Sequence, residues 1–180
     1  MVRMATRRDD RTQESRRLLI DAATRLFAEH GYRRTSFVDI AELAGISRGS
    51  IPWHFGNKLG LLEAVVDAQL DAVVGGFGGM DASLDGVMAF VRRPGARLFI
   101  TLLAEAVEDD SPIRLHYARL HAALREAVRR AVPPLPGIPG EAYAALLVGA
   151  VIGLHAQWRV APEAVDLDEV RETIRALLPG

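Results

Sequence analysis

The chain is 180 residues long, with 49% apolar residues, no cysteine and a formal net charge of −1. That length suits one ordinary domain, or two small ones sharing a helix, with enough apolar residues for a core that needs no covalent staples. The lack of cysteine excludes disulfides, thiolate metal sites and a cysteine nucleophile, and agrees with a cytoplasmic location.

The opening MVRMATRRDDRTQESRR has arginines but not the apolar segment of a secretory signal. The longest apolar run, AYAALLVGAVIGL, spans only residues 142–154, well short of the roughly twenty residues that cross a bilayer. A soluble protein with no membrane partner is expected. The small net charge is unevenly divided. Residues 1–60 hold eleven basic against seven acidic side chains, and residues 61–180 hold eleven against sixteen. A basic front and an acidic remainder suit an anionic partner at one end, nucleic acid among them.

Taken in chain order, Arg3, Arg7, Arg8 and Arg11 read as a basic, unstructured arm that could follow a minor groove or add nonspecific attraction for phosphate. An amphipathic helix is predicted over 14–30, where Leu18, Leu19, Ala22, Ala23, Leu26 and Phe27 share one face and Gly31 supplies a stop. Ser36, with Asp39 three residues on, makes a capping-box start for a second helix that Gly45 ends. Ser47 can cap a third helix running to about Phe55. Two short helices joined by so tight a turn form a helix-turn-helix. Gly56 ends the third helix, and Asn57 can cap a connecting helix from Lys58 to residue 74.

The GGFGG run at 75–79 is predicted to be a loop, because glycine costs about 1 kcal/mol per helix-interior position. Helices are expected next at about 82–92, 96–108, 112–132, 140–160 and 167–178. Pro94-Gly95, Asp110-Ser111-Pro112 and the proline-rich PPLPGIPG at 133–140 separate them. No segment alternates with period two. The fold class predicted is all-α with about nine helices, divided into a three-helix domain at 1–57, a connecting helix at 58–74 and a helical remainder at 75–180.

In a helix-turn-helix the second helix enters the DNA major groove. Ile40, Ala41, Ala44, Ile46 and Ile51 can bury beneath it with Leu26 and Phe27, which turns Arg48, Gly49, Ser50, Trp53 and His54 outward. Arg48 can reach guanine or phosphate, Gly49 allows close approach, Ser50 can donate or accept, and Trp53 can touch a thymine methyl or a sugar. If Ser47 is the cap, Pro52 is the fifth residue and deletes one helical hydrogen bond. That predicts a short, bent or partly 3₁₀ helix. Lys58, the only lysine, stands at a helix start where amides attract anions. Arg33 and Arg34 fit a solvated face as well as a backbone contact.

Residues 14–70, and above all AATRLFAEHGYRRTSFVDIAELAGISRGSIPWHFGNKLGLLEAV, resemble the DNA-binding domain of the tetracycline-repressor (TetR-like) family of transcriptional regulators. The resemblance implies phosphate contacts from Thr35, Ser36, His54 and Lys58, and base or sugar contacts from Arg48, Ser50 and Trp53. Pro52 departs from it, standing where the family usually has a tyrosine on the DNA backbone.

Beyond residue 70 the likeness is looser. It implies an effector-binding and dimerisation domain at 75–180, and hence a homodimer on a near-palindromic double-stranded operator, with half-sites about one DNA turn apart. Candidate effector-lining residues are Met88, Phe99, Leu103, His116, Tyr117, Leu120, His121, Tyr143 and Trp158, with Glu105 as a polar partner. Such a lining suits a small, largely apolar or aromatic compound. Each histidine there is as readily a satisfied core residue. His116 and His121, five apart, do not share a helical face, so no metal is expected, nor any cofactor. Leu146, Gly149, Gly153, Val170, Ile174, Leu177 and Leu178 are the candidate dimer residues, with completion of the internal core as the alternative.

No nucleophile elbow, phosphate loop or metal-spaced cluster appears, so an enzyme is not expected. The competing reading is a helical protein-interaction module whose helix-turn-helix has degenerated through Pro52.

Overall fold

α1 runs from Val2 to His30 and is followed by α2 at Phe37–Ala44, α3 at Ser50–Phe55 and α4 at Lys58–Gly79. Then come α5 at Leu84–Arg92, α6 at Arg97–Ala106, α7 at Arg114–Ala131, α8 at Gly140–Val160 and α9 at Leu167–Leu177, with one 3₁₀ turn at Pro94–Ala96. The computed structural model describes residues 2–79, 84–131 and 136–177, and side chains at 2–8, 73–79, 94 and 177 lie outside that description. Among the described residues the fold is all-helical, as the hydrophobic periodicity predicts.

Three local expectations are corrected. The supposed arm is helical, because α1 starts at Val2. Those residues contain no glycine or proline, and adding turns to an existing helix needs no new nucleus. The GGFGG run is also helical, so α4 extends to Gly79 rather than ending at 74. Finally, α3 is shorter than predicted and begins at Ser50, with Gly49 rather than Ser47 at its N-cap position.

The chain divides into two compact units. The first contains residues 1–69 and 97–117, and the second contains 70–96 and 118–180. In the first, α1 packs on both α2 and α6. Leu19, Phe27, Ile40, Ile51, Leu61, Val65, Leu98 and Leu102 are buried there, each side chain contributing roughly 1.5–3 kcal/mol. Gly31 (φ 82°) and Gly45 (φ 65°) close α1 and α2 in the left-handed conformation, which glycine adopts without a Cβ penalty.

In the second unit Met88 and Val91 of α5 cluster with Leu167, and Leu84, Val151, Leu154, Trp158, Val165, Val170 and Ile174 pack around them. Asp85 of α5 accepts from Arg175 of α9 at 3.0 Å and lies 3.4 Å from Arg171, while Arg92 pairs with Asp168 at 3.1 Å. Exposed pairs of this kind add little energy, and the apolar cluster holds α9 along α5. No described helix is long and apolar enough to cross a membrane.

Candidate nucleic-acid interface

The helix-turn-helix is built from caps and buried aliphatics. Ser36 Oγ accepts from the Asp39 N–H at 3.3 Å, and the Asp39 carboxylate accepts from the Ser36 N–H at 2.8 Å. These bonds satisfy two otherwise orphan donors of α2 and hold the Asp39 carboxyl below the usual carboxylate range. Ser36 is exposed, and its side chain is the first cause of the lowered Asp39 pKa, ahead of its backbone N–H.

The start of α3 answers the problem of Pro52. Its first bonds are of the i→i−3 kind, from the Ser50 N–H to Ser47 O at 2.9 Å and from the Ile51 N–H to Arg48 O at 3.2 Å. With the helix beginning at Ser50, Pro52 is its third residue, inside the first turn. Amides there lack a helical acceptor, so proline sacrifices nothing. The fifth-residue placement is therefore wrong, and the 3₁₀ character is right. Ile51 is fully buried beneath the helix. The six-residue helix is held by packing.

Its outer surface carries the expected side chains. Trp53 is 70% exposed, and Arg48 and Gly49 are exposed beside a half-buried Ser50. A Cβ at Gly49 would meet only Ser47 Oγ, at an ordinary 3.8 Å. Nothing within the chain therefore demands glycine there. Trp53 and His54 stand edge to face with ring centroids 4.5 Å apart. Burial first, and the Arg16 charge second, hold the His54 imidazole below the usual histidine range. Arg16 itself lies over the Phe55 ring, 5.4 Å from its centroid. Sequence reasoning missed this residue because it marks no local pattern.

Two expected phosphate contacts need revision. Thr35 is only 2% exposed, and its hydroxyl donates to Gly31 O at 2.8 Å. It seals the carbonyl end of α1 instead of facing outward. Lys58 Nζ donates to Arg33 O at 3.3 Å and lies 4.3 Å from the Tyr32 ring centroid. Burial lowers its pKa, opposed by the nearby Glu105 and Asp39 carboxylates. Part of its capacity is spent inside the chain. Arg33 pairs with Glu108 at 2.5 Å, and Arg34 Nε donates to His30 O at 2.9 Å, so neither is simply a solvated charge.

The candidate effector residues fall into both units. In the first, the Tyr117 hydroxyl donates to Phe99 O at 2.5 Å, and burial pushes that phenol's pKa well up. His116 Nδ1 lies 3.6 Å from Glu63 Oε1, and Leu103 is half-buried. The Glu105 carboxylate accepts from the Arg33 N–H at 3.0 Å. In the second unit Met88 and Trp158 belong to the α5–α9 cluster, Leu120 is buried, and Tyr143 and His121 are half-buried. Among the described residues no group of histidines and carboxylates is arranged to hold a metal.

The candidate dimer residues divide in a similar way. Val170 and Ile174 pack, partly buried, against the Met88 cluster. Leu146 is 67% exposed, and Cβ atoms at Gly149 or Gly153 would meet nothing within 4 Å. Leu177's side chain and Leu178 lie outside the described residues.

Comparison with known proteins agrees with this geometry. The family model for bacterial regulatory proteins of the tetR family matches residues 19–65, and that for the C-terminal region of BetI-type transcriptional repressors matches residues 80–180. The HTH-type transcriptional regulator TtgR of Pseudomonas putida is 32% identical, over 91% of this chain and 89% of its own length. Among solved structures, the fatty acid degradation regulator FadR from Bacillus halodurans has a TM-score of 0.69 at 19% identity, covering 91% of this chain and 93% of that one. NalD, the secondary repressor of the MexAB-OprM multidrug efflux pump in Pseudomonas aeruginosa, has a TM-score of 0.65 at 21% identity, covering 91% and 93%. A capped helix-turn-helix with an outward Arg48–Trp53 face, joined to a helical remainder that matches a repressor model, places the chain in the TetR family of DNA-binding transcriptional regulators.

Proposed function

We propose that the protein is a repressor that binds a near-palindromic operator as a homodimer and leaves it when a small, largely apolar or aromatic compound binds the helices beyond residue 80. The observation that carries the DNA-binding part is the outer face of α3. Trp53 is a large, rigid aromatic held in water by a helix whose underside is buried, an arrangement with no structural use inside one chain. With Arg48, Gly49 and Ser50 it offers guanidinium, close approach, hydroxyl and apolar contact to the major groove. Ser36 and His54 are the phosphate contacts best supported by placement.

Repression is supported by the BetI-type repressor match over residues 80–180. Pairing is supported by α8, where Leu146, Gly149 and Gly153 leave a face of low relief open within the subunit. Small residues there would admit a second helix closely. The degenerate-module reading loses its reason once Pro52 stands in the first turn of α3.

Footprinting on the DNA flanking the protein's own gene tests the reading. Protection of a near-palindrome is expected, weakened by salt and abolished by Arg48→Ala with Trp53→Ala. Absence of any protected site, or protection untouched by both substitutions, would refute it. An effector should then weaken operator binding by about 5–150-fold.

A further inference from the structure

One residue between α1 and α2 is gripped from two directions by groups of opposite charge. The Arg33 N–H donates to Glu105 Oε2 of α6 at 3.0 Å, and the Arg33 carbonyl accepts from Lys58 Nζ of α4 at 3.3 Å. The Glu105 carboxylate reaches the turn because Gly31 leaves room. A Cβ built on Gly31 would fall 2.0 Å from Glu105 Oε1. Two residues, one on α6 and one just beyond it, reinforce the contact. Thr101 Oγ1 donates to Ala28 O at 3.0 Å, and Glu108, just past the helix end, pairs with the Arg33 guanidinium. All of these residues belong to the unit that holds the helix-turn-helix.

This pattern is more than surface decoration. An exposed ion pair between mobile side chains fixes little, but a carboxylate bound to a backbone amide fixes the chain itself. The turn so fixed leads directly into Ser36 and α2. We infer that Glu105 is a positioning residue for operator binding: with Lys58 opposite, it sets the orientation in which α2 and α3 are presented to the duplex. The inference rests on the DNA-binding reading above and adds to it a residue that need not touch DNA.

Electrostatics alone makes the opposite prediction, which renders the idea testable. Removing a carboxylate from a DNA-binding unit should strengthen attraction to phosphate, whereas loss of a positioning contact should weaken binding. The experiment measures affinity of the full-length chain for a duplex from the DNA flanking its own gene, over a range of salt. Glu105→Ala is expected to bind about tenfold more weakly, the scale of one lost charge-assisted hydrogen bond. The slope of log affinity against log salt should be unchanged, because no phosphate contact is removed. Hydrogen exchange at the Arg33 amide should accelerate. Glu105→Gln keeps a carbonyl acceptor in place and should recover most of the affinity. Glu105→Asp keeps the charge but withdraws the acceptor by one methylene, so it should resemble the alanine variant. It carries the test if Glu105→Ala fails to fold.

Binding by the alanine and aspartate variants within about twofold of the unaltered chain, or tighter, would overturn the inference. Failure of the unaltered chain itself to show salt-dependent binding would instead overturn the DNA-binding reading on which it rests.

Discussion

The Arg16 guanidinium lies 5.4 Å from the centroid of the Phe55 ring, so the first helix holds the last residue of the recognition helix. A helix of six residues has no independent stability, and its orientation comes from such contacts. Arg16→Ala should cost about 0.5–1 kcal/mol in urea denaturation, the range of a partly exposed cation–π contact, and should weaken operator binding. Arg16→Lys should fall between. Unchanged denaturation midpoints in both variants would show that the contact holds nothing.

Pro52 provides a check on where α3 starts. A proline in a helix interior is worse than alanine by about 3 kcal/mol, so its replacement there would stabilise strongly. In the first turn it forfeits no intrahelical bond, and Pro52→Ala should change stability by less than about 1 kcal/mol. A gain near the interior value would move the start of the helix back to Ser47.

Trp53 separates folding from recognition. At 70% exposure it supports little of the core, and Trp53→Ala should leave unfolding free energy within about 0.5 kcal/mol. Operator affinity should nevertheless fall by about 1–3 kcal/mol, the scale of one lost base-edge contact. A large stability loss with unaltered DNA binding would reverse the assignment.

Legibility in the sequence follows the range of the interactions. The capping box of Ser36 and Asp39 and the stops at Gly31 and Gly45 are local, and they are readable because short motifs carry their own chemistry. The outward Arg48–Trp53 face follows from helical periodicity. Thr35 misleads because its hydroxyl is claimed by Gly31 O, a bond that exists only once α1 has ended where it does. The bond from the Arg33 N–H to Glu105 is not legible because the two lie 72 residues apart. Val170 and Ile174 form a stripe that would suit either a partner or the chain's own core, and periodicity cannot say which surface meets it. Within the subunit both lie, partly buried, against the cluster of Met88, Val91 and Leu167.

Leu146 then bears the dimer prediction. Because it is 67% exposed on α8, Leu146→Glu should leave helical content intact while shifting sedimentation toward a monomer. Operator binding should weaken with it, since each subunit would then engage one half-site alone. A dimer that survives the substitution would place pairing on another surface.

His155 sets a pH dependence of stability. It is 3% exposed, and burial, aided by the Arg159 charge, holds its pKa below the ordinary value of about 6.5. The unfolded chain therefore binds this proton first as pH falls. Its contribution is complete above about pH 6.5 and is lost progressively as pH falls below that value toward the folded-state pKa. Thermal unfolding should shift downward between about pH 7 and 5, and less steeply in His155→Gln. Parallel profiles for the two proteins would remove His155 from the account.

Lys58 is the only lysine in the chain, and the side-chain amine that grips Arg33 O and leans on Tyr32 is therefore chemically singular. Acylating reagents that scatter over the surface of most proteins have a single side chain to modify here. One adduct at Lys58 would cancel a charge and disrupt both contacts, and the mass of the peptide carrying Lys58 would count the altered molecules without any mutation.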